Sequence, residues 1–143
     1  MKLSSRFLVI LFVSFLAGLG DALAGVSLLA VPDWTLSFFQ TTPPMKMIFI
    51  RYLGVFVGMV GVTYFYGLIT SWRRGEWQTM RTVWEISALF RIAVAIFLSF
   101  SVGFEYLPFN WTIVVGVDLA WATIQTTLIL RGIFTNSANK NEF

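Results

Sequence analysis

The sequence contains no cysteine and no histidine. Without cysteine the chain holds no disulfide, no thiolate zinc site and no iron–sulfur cluster. Without histidine it offers no imidazole to haem, copper or zinc, and no Ser-His-Asp catalysis. Charge is scarce as well. Asp, Glu, Lys and Arg make up 12% of the 143 residues, against about 25% in soluble domains. No cofactor is expected to be held through His or Cys, and the fifteen phenylalanines could line an apolar cofactor held by a partner, a quinone or carotenoid, where lipid contact is the simpler explanation.

What the chain has in place of charge is apolar length. Hydrophobic residues are 57% of it, more than a soluble domain of this size can cover, so lipid must be the solvent for much of the surface. Four segments carry this character: Phe7–Leu29, Met47–Ile69, Thr82–Phe104 and Thr112–Leu130. At about 1.5 Å per residue each spans a hydrocarbon core of roughly 30 Å. The apolar runs are continuous and do not alternate, which favours helices over barrel strands. The sequence predicts an all-α integral membrane protein, an antiparallel four-helix bundle forming one transmembrane domain over residues 1–143. An outer loop at 32–46 and a polar tail at 135–143 complete it.

Orientation follows from the basic residues outside the spans. Lys2, Arg6, Arg73, Arg74, Arg81, Arg131 and Lys140 fall on one side, and only Lys46 on the other. This split predicts both termini in the cytoplasm, N-in and C-in. It also accounts for the net charge of +3 without invoking nucleic acid. Trp34 and Trp111 are expected as anchors at the outer interface, and Trp72, Trp77 and Trp84 at the inner one. The start of the chain also fits a cleaved signal peptide, with Ala22-Leu23-Ala24 as its site. Apolar sequence running on through Val31 favours a retained span. In the outer loop Asp33 predicts the N-cap of a short helix running to Gln40 and ended by Pro43-Pro44. That helix is either a lid over the bundle or an aromatic anchor.

Four charges interrupt the spans, one in each: Asp21, Arg51, Arg91 and Asp118. Ionisable groups within a membrane are costly and need partners. Helical rise places Asp21 roughly 12 Å, Arg51 about 6 Å and Asp118 about 9 Å below the outer boundary, with Arg91 near mid-membrane. Two arginines and two aspartates form a neutral set, as burial in low dielectric demands. Arg51 shares a stripe with Gly54, Gly58 and Gly61, and Asp21 a line with Ala17 and Gly25. Such small residues let helices pack closely. Asp118 shares its face with Trp121, Ala122 and Gln125, a polar strip, and Arg91 aligns with Trp84, Ala88 and Ala95. Two readings of this network stand open. It is either structural ion pairing that sets helix register, or a polar cavity open to the outer side that binds an anion or moves protons. Glu85, four residues after Arg81, reads as an interfacial ion pair.

Arg51-Tyr52-Leu53-Gly54 with Gly58 and Gly61, then Arg91, then Val117-Asp118-Leu119, resembles the pattern of small four-helix bacterial membrane proteins of the DoxX-like and BphX-like kind. The resemblance covers roughly Arg51–Leu130. It implies a four-helix fold and a bacterial inner (cytoplasmic) membrane. For a few DoxX-type relatives it further implies partnership with quinone-linked oxidoreductases. Such chains often carry an arginine in the first helix, where this one has Asp21.

The expected function is that of a non-catalytic accessory or structural subunit, whose partners are the lipid bilayer and other membrane subunits. The alternative is a small transporter or ligand-binding protein using the Asp/Arg cavity. An intramembrane enzyme with Asp21 and Asp118 as acid and base is a third reading, and arginines paired to both carboxylates work against it. No residue is assigned a catalytic or metal-binding role.

Overall fold

The structure, a computed structural model, describes residues 5–38, 46–74 and 77–134. The expectations placed on Lys2, Gln40, Pro43, Pro44, Lys140 and the polar tail lie outside these residues. The described chain folds into α1 (Ser5–Ala30), α2 (Pro32–Phe38), α3 (Met47–Arg74), α4 (Gln78–Gly103), a 3₁₀ turn (Phe109–Trp111) and α5 (Thr112–Leu130). Helices α1, α3 and α4, and the segment Phe109–Leu130 containing α5, are long and apolar enough to cross a membrane.

No proline interrupts these helices, because Pro32, Pro43, Pro44 and Pro108 all fall between them. Pro32 opens α2, where its missing N–H costs nothing. Helices α3 and α4 outrun their apolar segments, reaching Arg74 and starting at Gln78. Backbone hydrogen bonding continues past the last apolar side chain, and the Thr82 hydroxyl donates back to the Gln78 carbonyl at 3.1 Å. Helix α5 stops where Gly132 takes φ 69°, with its N–H bonded to Ile129 O at 2.9 Å and the Ile133 N–H to Leu128 O at 3.2 Å. This double bond over a left-handed residue caps the last carbonyls.

Neighbouring helices run in opposite directions. Gly18 meets Gly61 and Tyr64, while Gly54 meets Gly25 and Leu28, so α1 and α3 are antiparallel. Their approach is close enough to exclude side chains. A Cβ on Gly61 would sit 2.6 Å from the Gly18 carbonyl oxygen, and one on Gly25 would run into the Gly58 backbone. The small-residue stripes of both helices are spent on this contact. Helix α4 meets α5 with Arg91 on Asp118 and Trp84 on Phe134 beyond its end, so this pair is antiparallel too, and α3 joins the two pairs through α4. Between α1 and α5 the described backbones make no comparable approach.

Two apolar clusters fill the bundle. One, toward the chain termini, centres on Ile10, Ala17, Tyr64, Met80 and Trp84. The other, toward the opposite end, joins Leu36 of α2 to Ile50, Leu98 and Trp111. Helix α2 thus lies against that end with Leu36 and Thr35 buried, while Trp34 and Phe38 stack on each other outside. Only 17–33% of the most apolar stretch of each long helix is buried inside the chain, which leaves a large apolar surface of the kind that lipid or a protein partner covers.

Two of the expected tryptophan anchors are corrected here. Trp84 is fully buried, because it lies two helical turns from Arg91 on the inward face of α4. Trp111 is 7% exposed and belongs to the apolar cluster beneath α2. Trp34 and Trp72 are exposed, and Trp77 is half-buried with its ring edge-to-face on Phe7 at 4.9 Å.

Candidate functional site

Helix α4 turns one face inward: Trp84, Ser87, Ala88, Arg91, Ala95 and Leu98. The spacing is that of one helical stripe. Three of these side chains carry polar groups, and each reaches a different set of helices.

Arg91 is the centre. It is 8% exposed, and its two terminal nitrogens serve two carboxylates. Nη1 donates to Asp118 Oδ1 of α5 at 2.7 Å, and Nη2 donates to Asp21 Oδ2 of α1. One guanidinium therefore ties three helices together at similar depth. A planar fork with several donors suits this task, and an ammonium does not. The arginine Nε has no partner among the described residues.

Arg51 is not part of this group. It is exposed on α3 and makes no ion pair among the described residues. The expected neutral set of four is thus a buried set of three with one arginine outside it. The reason lies in the α1–α3 contact. Glycines bring the two backbones so close that nothing larger fits between them, and an arginine at the edge of that stripe must turn outward. As a result the buried group carries one positive and two negative formal charges.

A second polar layer lies one turn along α4. The Tyr64 hydroxyl donates to Ser87 Oγ at 2.7 Å, and Gln125 Nε2 donates to the Tyr64 oxygen. Tyr64 and Gln125 are fully buried, so this layer joins α3, α4 and α5 away from solvent. A turn further on, the Trp84 indole N–H donates to Ser14 Oγ of α1 at 2.8 Å. Trp121 is half-buried and packs on the neighbouring apolar cluster. Gln125 Oε1 has no partner among the described residues.

The sequence pointed to Gln125 and Trp121 but passed over Ser14, Tyr64 and Ser87. Their signal was present. Ser14 extends the line of Ala17, Asp21 and Gly25, Tyr64 extends the stripe of Gly54 and Gly61, and Ser87 stands one turn before Arg91. Serine and tyrosine are too common in membrane helices to be chosen from one helix alone. Glu85 accepts from Arg81 Nε at 2.7 Å on the exposed surface, an i,i+4 pair of small energetic weight.

Chemically, the centre is an ion-paired lock. Both carboxylates face the same cation, and the apolar clusters close it off toward each end of the bundle. No group of three His, Cys, Asp or Glu that could hold a metal occurs among the described residues. Comparison with protein families, curated proteins and solved structures found no match.

Proposed function

We propose that this chain is an integral membrane protein, with both termini in the cytoplasm, that serves as a non-catalytic accessory subunit of a larger membrane complex. The observation that carries the reading is that Arg91, Asp21 and Asp118 are spent on one another. A cluster whose charged side chains bond one another across three helices holds those helices in register and needs no substrate to explain it. The outward surface adds support, since Phe12, Phe56, Phe97 and Phe100 are each more than half exposed and are free for lipid, a partner helix or a partner's apolar cofactor. Arg6, Arg73, Arg74, Arg81 and Arg131 stand at one end of the four helices, in keeping with a cytoplasmic side there. The likeness of residues 51–130 to DoxX-like proteins extends the proposal to a bacterial inner membrane, with quinone-linked oxidoreductases as the partner class.

The alternative of a small transporter needs charges free to meet cargo. Its foothold is the residual exposure of the Asp21 and Asp118 side chains, 16% and 14%. The two readings separate in one experiment. Tagged chain extracted from native membranes in mild detergent is expected to carry another polypeptide at fixed stoichiometry. Recovery of this chain with no other polypeptide would defeat the accessory reading.

A further inference from the structure

Arg51 is the outlier. It stands on the outer surface of α3, four residues in from Met47. That places it about 6 Å down the helix, within the apolar span. Charges at such a position almost always face a bundle interior or a partner, and this one meets neither among the described residues.

The buried group has the opposite surplus, one arginine for two aspartates. Its carboxylates sit on α1 and α5, the helices whose backbones stay apart, and both keep some exposure. Gly20, a quarter-turn from Asp21 on the side of α1 away from α3, has nothing within 4 Å of where a Cβ would lie. A neighbouring helix can approach there.

Copies of one chain insert with the same orientation, so equal depths meet. Asp118 lies about 9 Å and Asp21 about 12 Å below the end of the bundle from which Arg51 lies about 6 Å. The flexible arginine stem covers differences of that size. One Arg51 cancels one surplus negative charge.

We infer that copies of this chain associate head to tail within the membrane, Arg51 of one copy seated against the Asp21–Asp118 edge between α1 and α5 of the next. The two surfaces differ, so the interface is heterologous and builds a ring where the rotation closes. This goes beyond the accessory reading, since it concerns copies of this chain alone. The neutral set expected from the sequence is then completed between chains.

Purified protein in synthetic bilayers tests it free of any other subunit. Single-molecule photobleaching is expected to show oligomers of the parent chain, and Arg51→Ala to weaken association by about tenfold or more. Arg51 is exposed, so its loss leaves the fold intact, which circular dichroism verifies. The chain has no cysteine of its own, so two introduced cysteines report contact cleanly. Gly20→Cys and Val55→Cys, carried on separate co-expressed copies, are expected to cross-link, and to stop doing so with Arg51→Ala. A monomeric parent chain overturns the inference. So does an Arg51→Ala variant that associates as before, which would leave a lipid phosphate or Asp33 as the partner of Arg51. Oligomers without the 20–55 cross-link overturn it too, by placing the interface elsewhere.

Discussion

Arg91 is a single guanidinium shared by two carboxylates, and that sharing decides what its loss does. Arg91→Ala leaves Asp21 and Asp118 facing each other without a cation, at a cost of about 3–5 kcal/mol, the usual penalty for orphaning a buried charge. Asp21→Asn or Asp118→Asn is expected to cost less, because one arginine and one aspartate remain as a neutral pair. Unfolding titrations in detergent rank the three variants, and equal losses would count against a charge-based account. Tyr64→Phe removes one oxygen and strands two partners, Ser87 and Gln125, in a dry core. A loss of about 1–3 kcal/mol is expected, readable in the same titration. Asp21, Arg91 and Asp118 were legible in the sequence because charge in an apolar segment is conspicuous. Tyr64 and Ser87 were not, since a hydroxyl earns its role only when another helix brings it a partner.

Among the helices, the closeness of α1 to α3 rests on having no Cβ at the crossing. Gly61→Ala is expected to push the pair apart and cost about 1–3 kcal/mol through overpacking. Gly116→Ala in α5, with open space around it, is expected to be neutral or to stabilise by up to about 1 kcal/mol through helix propensity. Comparing the two midpoints separates packing from backbone entropy. The helices themselves could be read from apolar length, and α5 matches its predicted segment Thr112–Leu130. Their true ends could not, as α3 and α4 show, because hydrogen bonding does not stop where hydrophobicity does. Trp84 illustrates a further limit. Tryptophan near the end of a span suits an interface, yet the inward stripe of α4 carries this one into the core.

For the whole molecule, the charge split outside the spans predicts which end faces the cytoplasm. Ser37→Cys on α2 is expected to react with a membrane-impermeant thiol reagent in intact cells, and Gln78→Cys at the start of α4 only after permeabilisation. The reverse pattern would invert the bundle. The large exposed apolar surface makes lipid or protein contact unavoidable at this scale. It is also where accessory assembly and self-association would be decided.

The sequence alone determined that the chain is helical, that four segments are long enough to span a bilayer, and that charges lie inside them. Length, hydropathy and residue type are local properties, and they survive without knowledge of neighbours. Only the tertiary structure decided which charges meet. Arg91 faces inward and is claimed by two aspartates from two other helices, while the glycine contact between α1 and α3 leaves Arg51 no room to follow. A helix has one rotation about its axis, and packing against its neighbours fixes it. A periodic stripe can name the residues on a face but cannot say which of those near its edge are turned in.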